Sequence, residues 1–163
     1  MKPSKLGSVF LLALAAVLSL SLSSLTTNSS ESSDQQLDSL AQDRAKHLAR
    51  LREQIKGNGR RAADSVFKNI KTMKGMPAGR LLAIMDIGYS QSLGVSCGHC
   101  HNTERWESDE KPQKQIAREM SLMMTKTTSL IKEIKGLKSE SPAVNCTTCH
   151  RGAVKPALDL GTK

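Results

Sequence analysis

Hydrophobic and polar positions repeat with the period of an α-helix in four parts of the chain. The first is residues 34–56, where apolar side chains recur every three or four positions. A shorter stretch covers about 64–73, a third covers 78–93, and a fourth runs from about 109 to 135. Together these stretches predict a mainly α fold with little or no sheet.

The N-terminal residues have the pattern of an export signal. In residues 1–25, two lysines precede an uncharged, apolar run over 6–22. This run is long for a signal and short for a membrane span, so an uncleaved N-terminal anchor is the alternative. Residues 26–60 are predicted to form a polar linker and an amphipathic helix, followed by one domain over 61–163. The predicted location is the periplasm or another exported compartment, with the protein either soluble or held by that anchor.

All four cysteines of the chain lie in two copies of the pattern C-x-x-C-H. In this pattern each thiol adds to one vinyl group of the same porphyrin, and the histidine that follows can bind the iron as an axial ligand. The two copies therefore predict two covalently bound haem c groups. Their cysteines and histidines are Cys97, Cys100, His101, Cys146, Cys149 and His150.

Other uses of these cysteines explain less of the pattern. Four thiolates can bind one zinc ion, but structural zinc sites usually bring their cysteine pairs closer together, and the two histidines would have no role. A disulfide within a C-x-x-C pair would constrain almost no chain. A thioredoxin-like redox site requires a βαβ context, which neither copy has. Haem attachment is the interpretation that uses all six residues.

A helix that contains a methionine precedes each copy of the motif. Met85 lies in the third predicted helix and Met120 in the fourth. A methionine in an apolar stripe usually packs in a core, but each iron needs a sixth ligand and the methionine sulfur is a common one. The pattern does not choose Met120 over Met123 or Met124. His47 is another conceivable ligand, although a partly exposed histidine on a surface helix is the more ordinary interpretation.

Composition and charge agree with a protein built around cofactors. Aromatic residues are only 2% of the chain, whereas aromatic side chains normally supply much of the buried area of a core. Two porphyrins would supply that area. The formal net charge is +9, or +7 without the two lysines of the predicted signal. Such a surface is either simply solvated or suits an acidic redox partner or a membrane surface. An exported protein would rarely meet nucleic acid.

The segments around both motifs resemble the haem-binding domain of the photosynthetic reaction-centre cytochrome c subunit family. The resemblance covers roughly residues 64–156. It implies that His101 and Met85 bind the first iron, and that His150 and Met120 bind the second. The segments that carry it are 66–71, 76–82, 93–96, 108–112, 117–120 and 149–152.

The chain also departs from the family pattern. Members of the family carry four haems, whereas this chain has motifs for two, and its helix after the first motif lacks the histidine that serves a further haem. The resemblance is to one half of such a subunit, so donation of electrons to a photo-oxidised pigment is not implied. The predicted function is electron transfer between redox protein partners, without catalysis. The alternatives are a haem enzyme or a sensor of peroxide, NO or CO, with one iron lacking its methionine, and a subunit that wires a larger respiratory complex.

Overall fold

The computed structural model describes residues 28–158, with side chains from residue 34 onwards. The predicted signal at 1–25 lies outside the described residues. The chain divides after Asp38 into two compact units, and the described part of the first consists of the opening turns of one helix. The second unit begins at Ser39 and contains both C-x-x-C-H motifs. No helix within residues 28–158 is long and apolar enough to cross a membrane.

Helices make up the regular structure of the described residues. Between residues 28 and 158 there is no strand, and the β pairing consists of two isolated bridges. The prediction of a mainly α fold with little or no sheet is therefore confirmed. The elements are α1 (Asn28–Gln54), α2 (Ala63–Val66), α3 (Ala78–Ala83), a π-helix (Ile84–Gln91), a 3₁₀ turn (Cys97–His99), α4 (Pro112–Lys132) and α5 (Cys146–Cys149).

Two of the predicted boundaries differ from the structure. Helix α1 begins at Asn28, inside the stretch expected to be a linker, because residues 28–33 contain neither proline nor glycine to stop it. The stretch 64–73 is helical only as far as Val66. Beyond that point Asn69 and Met73 have positive φ angles, which a right-handed helix cannot accommodate.

The third predicted helix is formed by α3 and the π-helix, which follow one another without a break. Met85 lies in the π-helix. Here the backbone is wider than in an α-helix, and the Ser92 hydroxyl donates to the Ile87 carbonyl five residues earlier at 3.0 Å. Turns of π-helix are rare and occur mostly at functional sites, which fits the position of this one directly before the first motif.

The hydrophobic core is small and lies between α1 and α3. Each large aliphatic side chain in it contributes on the order of 2 kcal/mol by its burial. Val66, Phe67 and Trp106 pack against its edge and are only partly buried. The stability of this unit therefore rests on few apolar contacts. The core residues are Leu48, Leu51, Ile55, Ala78 and Leu82.

The chain segments next to the two motifs are joined directly to each other. The Gly152 N–H donates to the Ser92 carbonyl at 2.8 Å, and the hydroxyls of Ser92 and Thr147 are 2.6 Å apart. Gly94 has a φ of +64°, and a Cβ added to it would overlap the Gly152 carbonyl oxygen. The end of the π-helix therefore fits closely against the turn that follows the second motif.

This close approach predicts that Gly94→Ala destabilises the protein by more than the cost of placing alanine in a left-handed backbone conformation. Gly136 is a matched control, since its φ is +85° and an added Cβ would meet nothing within 4 Å. Gly136→Ala should cost about 1 kcal/mol for the left-handed backbone. Gly94→Ala should cost at least about 2 kcal/mol more, because backbone must move to relieve the overlap. Urea unfolding measures both, and equal losses would contradict the close packing.

Candidate haem sites

The first C-x-x-C-H segment borders a cavity of about 280 Å³. The cavity is bounded by side chains of α1, α3, the π-helix and α4, and the surface that faces it is mostly apolar. This volume is near the lower end of the range of about 300–1,000 Å³ for small-molecule sites. The structure brings together at this cavity all four residues expected to hold the first haem. They are Met85, Cys97, Cys100 and His101.

The 3₁₀ turn places both thiols and the imidazole of the first motif on one short turn. The His101 N–H donates to the Cys97 carbonyl at 3.1 Å, which closes this turn. Both cysteines are free thiols. Burial, followed by the negative charge of Asp43, raises the pKa of the Cys97 thiol to about 11. Burial also raises the pKa of Cys100. Both side chains are therefore reduced, neutral and next to the cavity.

His101 has the environment of a neutral ligand. Burial lowers the pKa of its imidazole to about 4, and the positive charge of Lys114 acts in the same direction. The Nδ1 atom is buried and has no hydrogen-bond partner. The indole ring of Trp106 lies 5.3 Å from the imidazole between ring centres, at a tilt of 51°. A neutral imidazole is the form that binds a metal ion.

The second motif forms helix α5. Asn145 caps this helix, since its side-chain oxygen accepts from the Thr148 N–H at 3.0 Å and the Thr148 hydroxyl accepts from the Asn145 N–H at 3.1 Å. The His150 Nδ1 lies 3.1 Å from the Ala153 carbonyl oxygen. A carbonyl only accepts, so Nδ1 donates and Nε2 keeps its lone pair for a ligand. Cys149 is exposed, and this site is more open than the first.

Met120 lies on an apolar face of α4 that is largely uncovered. The side chain of Met120 is 37% exposed. Its apolar neighbours recur every three or four residues, which places them on one side of the helix. A soluble helix normally buries such a face. The exposed apolar residues of α4 that share this spacing are Ile116, Met120, Met123 and Leu130.

Tyr89 of the π-helix connects the first cavity with the second motif and α4. Tyr89 lines the cavity, and the Ser121 side chain of α4 is near enough to its hydroxyl to lower its pKa. Burial raises the pKa of Tyr89, and the nearby thiols of Cys146 and Cys100 raise it further. The two motifs therefore lie on either side of one tyrosine.

Two cations of α4, Lys114 and Arg118, border the first cavity. Each of them is only 9% exposed. Both form ion pairs with Asp109, at 3.3 and 3.0 Å. Lys71 joins the same carboxylate at 2.7 Å. Three cations thus share one acid, which leaves positive charge beside the cavity. Neither α4 cation was predicted from the sequence to lie at the site, although their spacing of four residues places them on one face of the helix.

The expectation that His47 is a partly exposed surface histidine is wrong. Its side chain is only 7% exposed and lines the first cavity. The reason is that α1 turns this face inwards, and the neighbouring Leu48 and Leu51 belong to the core. Trp106 was also missed. It lies between His47 and His101, and only its place five residues after the motif could have indicated this.

Comparison with known proteins identifies the family. Residues 24–160 match the model of the photosynthetic reaction centre cytochrome C subunit family. The chain belongs to this family. It is 33% identical over 85 residues to cytochrome c-554 of Chloroflexus aurantiacus. This alignment covers 52% of this chain and 20% of that protein. It is also 33% identical over 79 residues to the photosynthetic reaction center cytochrome c subunit of Rubrivivax gelatinosus. This alignment covers 42% of this chain and 22% of that protein.

The chain thus spans about a fifth of the length of these relatives. No solved structure matches it significantly. Membership in a cytochrome c family implies covalently bound haem c. The first cavity fits that cofactor, because it combines two reduced thiols, a neutral buried histidine, a methionine and a surplus of positive charge for the two propionates. The number of haems stays a prediction.

The ion-pair cluster predicts a pH-dependent loss of stability for Asp109→Asn. Lys71 is the main cause of a pKa for Asp109 well below its usual range. At pH 7 the change should lower the free energy of unfolding by on the order of 2 kcal/mol, less than for a fully buried pair because Asp109 is itself 36% exposed. A depressed pKa contributes stability above the unfolded value of 3.8 and loses it as the pH falls further.

Urea unfolding at pH 7 and pH 3 should therefore give a smaller difference between wild type and Asp109→Asn at the lower pH. Glu140→Gln is the control, since it removes an exposed acid and should leave stability unchanged within about 0.5 kcal/mol at both pH values. A difference that is the same at both pH values would contradict the assigned role of the Asp109 charge.

Proposed function

We propose that this protein is an exported di-haem cytochrome c that carries electrons between redox proteins. The observation that carries the proposal is the convergence of Met85, Cys97, Cys100 and His101 on one apolar cavity. Family membership supports it, since the relatives named above are cytochromes. The partners and activities of those relatives are properties of much longer proteins and are not transferred to this chain.

At the first site each side chain has a distinct role. A covalently held haem supplies one-electron redox chemistry at its iron. Cys97 and Cys100 would hold it covalently. His101 and Met85 would bind its iron, and burial favours the neutral form of His101 that this requires. Lys114 and Arg118 neutralise negative charge at the cavity, which lowers the cost of burying ionised propionates.

At the second site Cys146 and Cys149 would be the attachment residues, and His150 and Met120 would bind the iron. The capped helix α5 and the contact of His150 with the Ala153 carbonyl support this assignment, because they fix the imidazole with Nε2 available. The uncovered apolar face around Met120 supports it as well, since a bound porphyrin would cover that face.

Ligation by histidine and methionine at both sites leaves no open coordination position for a substrate. Electron transfer is therefore favoured over a haem enzyme or a sensor of peroxide, NO or CO, which would require one iron without its methionine. Met85 at the first cavity argues against that alternative for the first site. We assign residues 1–25 to an export signal or uncleaved anchor and 61–163 to the di-haem domain. The more open second site suits exchange with an acidic or membrane-bound redox partner.

Met85→Ala should change the first haem alone. Loss of the methionine sulfur leaves one iron five-coordinate or bound to water, so one of two low-spin His/Met signatures should be replaced by a high-spin signature that responds to CO. Met120→Ala should do the same for the other haem. Low-temperature magnetic circular dichroism in the near infrared measures both, and intact mass gives the number of haems per chain.

Met123→Ala is the matched control, because Met123 is three residues from Met120 on the same apolar face and is 49% exposed. It should leave both signatures intact. A spectrum that Met85→Ala does not alter would show that Met85 is only a packing residue. A wild-type protein with one haem, or with a high-spin iron, would overturn the di-haem carrier.

The net positive charge predicts a rate of electron exchange that depends on salt. Between 0.01 M and 0.15 M ionic strength the screening length falls from about 30 Å to about 8 Å. The second-order rate with an acidic redox protein should fall severalfold over this range, measured by stopped flow. The rate with an uncharged small reductant is the control and should stay constant. An equally flat response with the acidic partner would contradict electrostatic steering.

A further inference from the structure

The histidine that α1 contributes to the first cavity is held by an aspartate one turn earlier on the same helix. The His47 Nε2 lies 3.3 Å from the Asp43 Oδ1. Its Nδ1 is buried and has no hydrogen-bond partner. A polar ring that is 7% exposed among leucines costs free energy unless it is fully satisfied. An apolar side chain would pack here without this cost, so packing alone does not explain a histidine at this position.

The same aspartate also contacts the first motif. The Asp43 Oδ2 accepts a hydrogen bond from the backbone N–H of Cys97 at 3.1 Å, across 54 positions of sequence. One carboxylate thus holds the α1 histidine with one oxygen and the first attachment residue with the other. The Asp43 side chain is 33% exposed, so its charge is screened less than that of a fully exposed acid.

A row of three rings leads from His47 to the proposed iron ligand. The imidazole of His47 meets Trp106 edge to face, with ring centres 5.5 Å apart and an angle of 76°. Trp106 also meets the imidazole of His101, with ring centres 5.3 Å apart and an angle of 51°. Aromatic rings at these separations hold one another in preferred orientations. Asp43 and His47 therefore act on both ends of the first motif, on Cys97 through the backbone and on His101 through Trp106.

We propose that Asp43 and His47 are positioning residues that tune the reduction potential of the first haem from helix α1. The inference rests on the proposed function, since it needs a haem at the first motif. The charge of Asp43 favours the oxidised iron, because a nearby negative charge stabilises Fe³⁺ over Fe²⁺. His47 fixes Trp106 and with it the plane of the His101 imidazole. Groups that orient a ligand in this way set the potential and the electronic structure of a haem.

In the observed conformation the Nε2 of His47 contacts Asp43, which leaves only Nδ1 without a partner. Met85, which lines the same cavity, remains the proposed ligand. The histidine acts on the first site through its neighbours, and its replacement should alter the properties of the haem without removing a ligand.

The test is a redox titration of the haem-loaded protein, with the two haems followed separately. Asp43→Asn keeps the size of the side chain and an acceptor oxygen but removes the charge. It should favour reduction of the first haem by about tenfold in the equilibrium constant, equivalent to about 59 mV for one electron. Glu53→Gln removes an exposed acid from the same helix and should shift neither haem.

Two substitutions of His47 separate its two contacts. His47→Gln can keep a polar contact with Asp43 but loses the ring that meets Trp106, and His47→Phe keeps a ring but loses the polar contact. His47→Gln should change the electron paramagnetic resonance g-values of the oxidised first haem, which report the orientation of the axial ligands. His47→Phe should shift the potential in the same direction as Asp43→Asn, because it releases the carboxylate from its position.

The outcomes are distinguishable from failure of the proposed function. Variants that unfold more easily but keep both potentials and all g-values would show a purely structural pair and overturn the inference. Equal shifts of both haems would overturn it too, since Asp43 contacts only the first motif. If His47→Phe does not fold, Asp43→Asn carries the test alone. A wild type without haem at Cys97 and Cys100 would instead contradict the proposed function itself.

Discussion

The structure depends on one constraint, which is that the side chains of this chain do not fill the space between α1 and the first motif. The core beside it has five aliphatic residues, and aromatic residues are 2% of the chain. A protein interior is normally packed as densely as an organic crystal. A cavity of about 280 Å³ beside such a small core is therefore costly unless another group occupies it. The haem that membership in the family implies would occupy this space.

The helices and the motif residues could be predicted from the sequence because both depend on local spacing. The apolar periodicity predicted α1, α3 and α4, and the pattern C-x-x-C-H predicts six ligand and attachment residues. The surroundings of the motifs could not be predicted in this way. The burial of His47, the ring contact of Trp106 with His101, and the π-helical turn around Met85 all depend on elements distant in sequence. The hydrogen bond between Asp43 and Cys97 joins residues 54 positions apart, and no periodic pattern records such a contact.

The link between the two motifs is a second feature that only the structure reveals. Ser92 contacts Thr147 through its hydroxyl and Gly152 through its carbonyl. Both contacts come from the segment that joins the Met85 helix to the first motif. Gly94 in that segment has no room for a side chain. The spacing between the motifs is thus set by backbone contact, which tolerates little adjustment. If both motifs hold haem as proposed, these contacts would set the distance over which the two haems exchange electrons.

The two sites differ in burial, and this difference decides where charge has most effect. Around His101 the burial is sufficient to lower its pKa to about 4, whereas Cys149 of the second motif is exposed to solvent. Charges act more strongly where water is excluded. Asp43, Lys114 and Arg118 all lie at the first site. If both motifs hold haem as proposed, the first is the one whose potential the protein controls through individual side chains. The second is exposed to solvent and partners, so its potential depends more on what binds there.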